Sequence, residues 1–388
     1  MIIKVQTDEL RTGMYVHKLE VFWLKDPLVH NDMLLTTEQQ IHTIAANGIQ
    51  AVWIDLDKGC GPAVSDTVHA STHTAQGIHQ EIMQAEALCL RAKEQVREMF
   101  SEARLGRTID TVSTLPLVDE IGNSVSRHPV ALLSVVRLKT HDDYTWLHSV
   151  AVCALMVALA RQLQLSEWHI RCAGIAGLLH DVGKAAIPLA ILNKPGKLTA
   201  EEFTLMKQHP VAGEALLRQS GENEEVLDVA LHHHEKMDGS GYPHGLRGLA
   251  ISQLARMAAV CDVYDAVTSD RPYKAGWNPA SAMRQMASWQ GHFDRKIFHA
   301  FVKAVGIYPV GSVVRLASGR VAVVAEQGGE ALLQPKVCVF YSLKTRQYPG
   351  RQMVDLADSQ CLDRISGPED SDCWDGVDTN ALWMRPVA

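Results

Sequence analysis

Gly177-Leu178-Leu179-His180-Asp181-Val182-Gly183-Lys184 is the stretch on which the reading of this 388-residue chain turns. An apolar run ends here in an adjacent histidine and aspartate, with a glycine and a lysine just beyond. Ser166 suits an N-cap at the start of the run and Gly183 suits a stop, so the pattern predicts one buried helix closing on the His-Asp pair. Further back, His141 to Leu163 carries Leu147, Val150, Ala151, Ala154 and Ala158 at helical spacing, and takes His148 with it. Further on, Thr199-Ala200-Glu201-Glu202 is a capping box that opens a third helix, with His209 placed before Pro210. Glu224 to His234 predicts a fourth helix, Ser252 to Ser269 a fifth that contains Asp262, and Asn278-Pro279 caps a sixth. The fold class is therefore mainly α, a helical bundle over residues 126–308.

The flanks differ in character. Residues 1–75 read as a small mixed α/β module, with a helix from Thr37 to Ala46, a turn at Asn47-Gly48 and a strand from Val52 to Leu56. Residues 76–125 read as a helical linker, dominated by one amphipathic helix from Gln76 to about Gly106. Such a helix suits three roles: linking domains, pairing with a second copy or another signalling protein, or packing on its own domain. After Pro309 the chain predicts strands at Gly311–Leu316, Arg320–Ala325 and Val337–Tyr341, a small β appendage within 309–388. Its acidic tail from Ala357 is either flexible or docked through Trp374 and Trp383.

Composition narrows the function. With 47% hydrophobic and 21% charged residues, the chain can bury a substantial core. A net charge of −7 argues against a nucleic-acid partner, while a small anionic ligand needs only a few local cations. Eight cysteines without a C-x-x-C pair give no zinc ribbon or thioredoxin site and fit a reducing compartment. The N-terminus shows no basic-then-apolar segment, and the longest apolar run, Val150 to Ala160, is too short for a bilayer. The expectation is a cytoplasmic protein without a membrane partner.

Chemistry concentrates on the helices. His148, His180, Asp181, His209, His233, His234 and Asp262 fall on successive predicted helices, several inside apolar sequence. One histidine on a helix is ordinarily a core or surface residue. Burying this many polar groups without a cation would be costly. Imidazole and carboxylate together suit iron, manganese or zinc, and a carboxylate such as Asp181 can span two ions where an imidazole cannot. Two metals about 3.5–4 Å apart suit a phosphoryl transfer. Neighbouring helical residues point about 100° apart, so His232, His233 and His234 cannot all serve one ion. His141, His169, His244, His292 and His299 have no comparable context.

These motifs carry a family resemblance. His180-Asp181-Val182-Gly183-Lys184 resembles the HD signature with its lysine. His233-His234-Glu235-Lys236-Met237-Asp238-Gly239-Ser240-Gly241-Tyr242-Pro243 resembles the segment for which HD-GYP proteins are named. Asn193–Thr199 and Asp262–Lys274 resemble that family as well, and residues 1–75 resemble a poorly characterised module that often precedes it. The resemblance implies hydrolysis of cyclic di-GMP to the linear dinucleotide or to GMP, at a centre of two or three metals, commonly iron or manganese. It implies that His148, His180, Asp181, His209, His233, His234 and Asp262 are the ligands and that Lys184 stands beside the scissile phosphate. Arg271 and Lys274 match phosphate-gripping positions, and Gly241 and Tyr242 belong to a loop bordering the substrate. The blander readings are a solvated Lys184 at a helix end, an Arg271 paired with Asp265 or Asp270, and a plain turn at Gly239–Pro243.

A third metal in this family takes a glutamate one turn before the first-helix histidine. Tyr144 stands there in this chain, so two ions are expected, with His148 the ligand least secured. Competing functions are a non-catalytic cyclic di-GMP sensor, a phosphodiesterase for another cyclic dinucleotide such as cyclic GMP-AMP, another HD phosphohydrolase, and a mainly structural role in a signalling complex.

Overall fold

A computed structural model of the chain describes residues 2–7, 10–19, 32–46, 51–55, 58–59, 75–136, 144–270, 276–328, 331–369, 374 and 377–384. They fall into two compact units, Met1–Thr72 and His73–Ala388.

In the first unit, β1 (Ile2–Gln6), β2 (Tyr15–Leu19), β3 (Met33–Leu34) and β4 (Ala51–Asp55) form an antiparallel sheet in the order β1-β4-β2-β3, with α1 (Glu38–Ala46) between β3 and β4. Val5 sits opposite Val52 and Val16 opposite Ile54, and these four join Met14, Leu35 and Ile44 in one apolar core. The predicted turn at Asn47-Gly48 lies outside the described residues.

The second unit is the helical bundle. It runs α2 (Ala75–Arg104), α3 (Leu115–Arg127), α4 (Pro129–Val135), α5 (Tyr144–Gln162), α6 (Glu167–Leu179), α7 (Leu189–Leu192), α8 (Ala200–Met206), α9 (His209–Gln219), α10 (Glu224–His232), α11 (Gln253–Thr268), α12 (Pro279–Ser288) and α13 (Arg295–Val305). Every residue of α5 from Val150 to Ala160 is buried, because this helix is apolar all round and α2, α6, α11 and α13 enclose it. Ser166, Thr199, Asn223, Ser252, Asn278 and Asp294 each cap the helix that follows through a side-chain oxygen. The helix predicted to run from Thr199 through His209 is two helices: Pro210 in the first turn starts α9 afresh.

Gly183 is not a helix stop. α6 ends at Leu179, and Val182–Ala186 forms a 3-10 turn packed on α9. A Cβ on Gly183 would lie 1.9 Å from the carbonyl oxygen of His209 and 2.4 Å from the nitrogen of Gly213. Glycine is required here by the closeness of another backbone.

The helix α2 packs within this unit. Ile82, Ala85, Cys89, Ala92, Val96, Met99 and Ala103 are buried at alternating spacings of three and four, against α3, α4, α5 and the 3-10 turn. Beyond the bundle, β5 (Val313–Leu316), β6 (Arg320–Glu326), β7 (Lys336–Ser342), β8 (Gln352–Asp355) and β9 (Ile365–Pro368) make an antiparallel sheet ordered β8-β7-β6-β5-β9. The acidic tail docks: β9 pairs with β5, Asp363 meets Arg320 and Glu369 meets Arg315, both at 2.8 Å. Trp374 is buried, as is Trp383 on α14 (Thr379–Met384). No helix among the described residues is long and apolar enough to cross a membrane.

Candidate metal centre

Five elements bring seven donors to one place. His148 comes from α5, His180 and Asp181 from the end of α6, His209 from the first turn of α9, His233 and His234 from the end of α10, and Asp262 from α11. They form two adjoining groups, Asp181 with His209, His233 and His234, and His148 with His180 and Asp262. Asp181 lies between them. Its Oδ1 is 3.2 Å from His209 Nε2 and 3.8 Å from His233 Nε2, while its Oδ2 is 3.5 Å from His148 Nε2 and 3.4 Å from His180 Nε2. His148 Nε2 is 3.1 Å from Asp262 Oδ1, and His234 Nδ1 is 3.7 Å from Asp262 Oδ2.

The far side of four rings fixes the chemistry of the near side. Nδ1 of His180 donates to the Gly177 carbonyl at 2.9 Å, and Nδ1 of His209 to the Met206 carbonyl at 2.8 Å. His233 Nδ1 donates to the Val229 and Ala230 carbonyls, and His148 Nδ1 to the Asp265 carboxylate at 2.7 Å. A carbonyl or carboxylate can only accept, so each ring carries a proton on Nδ1; His180, His209 and His233 turn a bare Nε2 inward, whereas His148, flanked by three carboxylates, also carries a proton on Nε2 until a cation displaces it. His209 and His233 thus set two lone pairs 3.3 Å apart. His180 Nε2 and Asp181 Oδ1 are buried with no hydrogen-bond partner. A cavity lined with converging lone pairs and carboxylate oxygens is costly without a cation. Divalent metal fits this donor set, and the carboxyl–imidazole pairing of Asp265 with His148 is the kind that orients metal-ligating rings.

Charge follows the same geometry. Burial works against charge on His148, but hydrogen bonds to Asp181, Asp262 and Asp265 outweigh it and raise its pKa to about 10. Burial also opposes charge on Asp181, yet Lys184 and His180 hold it well below the usual carboxylate range. Burial lowers His233 well below 6.5 and His234 to about 3. These two rings have lower pKa values folded than unfolded, so the unfolded chain binds more protons below pH 6.5. Their contribution to stability is complete above that pH and lost below it, whereas that of His148 is complete below pH 6.5 and lost only as pH rises toward 10. Chelator-treated protein is therefore expected to lose about 2 kcal/mol per pH unit between pH 6.5 and 4. Urea midpoints that stay flat across that range would contradict the assignment.

The rim is formed by the 3-10 turn and the loop after α10. Lys184 Nζ pairs with Asp181 Oδ2 within the turn. Gly241 passes so close to the α10 end that a Cβ would lie 2.5 Å from Glu235 Cα. Tyr242, half-buried, lies with its ring centre 4.7 Å from that of His234, and Lys207 Nζ stands 5.5 Å from the Tyr242 ring centre. Glu235 is buried and accepts from the backbone nitrogens of His244 and Leu246, which holds this loop to the metal-facing helix. His232 points elsewhere, to Asp228 and His244. Sequence reasoning missed Glu235, Asp265 and Lys207. The spacing Asp262–Asp265 puts both carboxylates on one face of α11 and could have signalled the second. Arg271, Lys274 and the side chain of Tyr144 lie outside the described residues.

Residues 101–297 match the family described as HD domain, and residues 2–114 a domain of unknown function (DUF3391). A cyclic di-GMP phosphodiesterase of Pseudomonas aeruginosa is 50% identical over 99% of this chain and 96% of its own length. A cyclic di-GMP phosphodiesterase response regulator of Xanthomonas campestris is 46% identical over 37% of this chain and 39% of the relative. A 3'3'-cGAMP-specific phosphodiesterase of Vibrio cholerae is 34% identical over 45% of this chain and 41% of the relative. The chain belongs to the HD domain family, in the HD-GYP branch whose motifs its sequence carries.

Proposed function

We propose that this protein hydrolyses cyclic di-GMP at a centre of two divalent cations, iron or manganese. The observation that carries the proposal is the convergence of bare imidazole nitrogens on Asp181, whose two oxygens face two separate donor groups. His209, His233 and His234 would hold one ion, His148, His180 and Asp262 the other, with Asp181 shared. Bound there, the cations supply Lewis acidity toward the phosphodiester. Lys184, with its ammonium beside Asp181, either neutralises a phosphate oxygen or gives a proton to the leaving oxygen. Tyr242 offers a ring face to a base, and Lys207 a cation outside it. The substrate reading draws on the relative that matches nearly the whole chain. The cyclic GMP-AMP enzymes match less than half of it.

The test is anaerobic purification, metal analysis and chromatography of the products. Two equivalents of iron or manganese, and conversion of cyclic di-GMP to the linear dinucleotide or GMP that stops on chelation, are expected. Tight binding of cyclic di-GMP without turnover by metal-loaded protein would make the chain a sensor instead. Arg271→Ala is expected to raise KM about tenfold with kcat nearly kept, because its family position grips phosphate away from the reacting centre. A fall in kcat at unchanged KM would contradict that role.

A further inference from the structure

The 3-10 turn Val182–Ala186 follows Asp181 directly and carries Lys184. A turn of this kind has poor hydrogen-bond geometry. One side chain from the far end of α2 reaches two carbonyls where it ends: that of Lys184, which also accepts from the Ile187 nitrogen, and that of Ile187, which follows the turn. Arg104 Nη1 donates to the Ile187 carbonyl at 2.9 Å and Nη2 to the Lys184 carbonyl at 3.1 Å. The planar guanidinium matches this pair of acceptors as a fork, which a single ammonium cannot do. Eighty residues of sequence separate Arg104 from Lys184. Its position is set by the buried seam of α2, whose last member, Ala103, immediately precedes it. Lys184 itself reaches back to Asp181. A shift of the turn would therefore move both the ammonium and the shared carboxylate.

We propose that Arg104 is a positioning residue that pins the Asp181–Lys184 turn, so that the alignment of Lys184 is set by α2. This rests on the reading of Lys184 and Asp181 as groups that act on the phosphodiester. The same helix lies within residues 2–114, which match the N-terminal domain of unknown function. The two family matches overlap at residues 101–114, which include Arg104.

Arg104→Ala, Arg104→Lys and Arg107→Ala test the idea. Arg107 lies three residues on, pairs with Glu102 and touches no part of the turn in the described contacts, so it serves as the control. Two readouts are taken on metal-loaded protein: kcat and KM with cyclic di-GMP, and amide exchange at Lys184 and Ile187 without substrate. Arg104→Ala is expected to lower kcat about tenfold with KM within about twofold, and to speed exchange at both amides about tenfold, while metal content stays that of wild type. Arg104→Lys is expected to fall between the two, and Arg107→Ala to match wild type. Wild-type kcat and exchange in Arg104→Ala, or an equal loss in Arg107→Ala, would overturn the assignment. Should Arg104→Ala fail to fold, full activity and full protection in Arg104→Lys would overturn the two-carbonyl role. If the wild type hydrolyses no cyclic dinucleotide, the functional reading fails, and the exchange measurement still decides whether Arg104 holds the turn.

Discussion

Asp181→Ala is expected to reduce cyclic di-GMP turnover at least a thousandfold, about 4 kcal/mol in transition-state terms, and to leave less than one equivalent of tightly held metal. Each oxygen of Asp181 faces a different donor group, so removing the carboxylate takes one oxygen from both at once. It also releases Lys184 from its partner. The fold should survive, because the turn is held by backbone hydrogen bonds from Lys184 to the Asp181 carbonyl and from Ile187 to the Lys184 carbonyl. Thermal stability should fall toward that of chelated wild type, since bound metal stabilises only the folded state. Asp181→Asn separates shape from charge: the amide keeps the volume but cannot offer an anionic oxygen on each side. Near-wild-type turnover in either variant, at matched metal content, would remove Asp181 from the centre.

Gly183→Ala should be the most damaging single-methyl change in the bundle, costing about 3 kcal/mol. The added carbon would sit 1.9 Å from the His209 carbonyl, and neither backbone has a flexible end to move aside. Relief requires α9 to withdraw from the turn, and His209 is the first residue of α9. Stability and metal binding are therefore expected to fail together, as a shifted urea midpoint and a lost equivalent of metal. A midpoint within about 1 kcal/mol of wild type would show that the turn and α9 can part without cost.

Much of the cluster was legible because each candidate ligand lies at a place that the local sequence marks. His180-Asp181 ends an apolar run, His209 precedes a proline, His233-His234 ends a capped helix, and Asp262 lies inside another. Helix ends and apolar periodicity are short-range properties, and one sequence shows them. What escaped depends on distance through space. Gly183 resembles any helix-ending glycine until the neighbouring backbone is seen, and the break at Pro210 left one predicted helix as two. β9 was hidden because Ile365–Pro368 has little apolar pattern and is held by pairing with β5 about 50 residues earlier. Glu235 looked like one more polar residue in a motif, yet it is buried against the backbone of its own loop. Arg104 looked like one basic residue among several on an amphipathic helix.

The rings that face the centre also close the helices behind it. His180, His209 and His233 give their Nδ1 protons to carbonyls in the last turns of α6, α8 and α10, where backbone partners run out. Three helix ends therefore fray or hold according to whether three imidazoles are kept in place from the other side. In a spectrum this should show as slowed amide exchange that appears together near residues 177–180, 206–209 and 229–233 when metal is added, although these segments are far apart along the chain. The ion would thus be felt as rigidity one shell away from anything it touches.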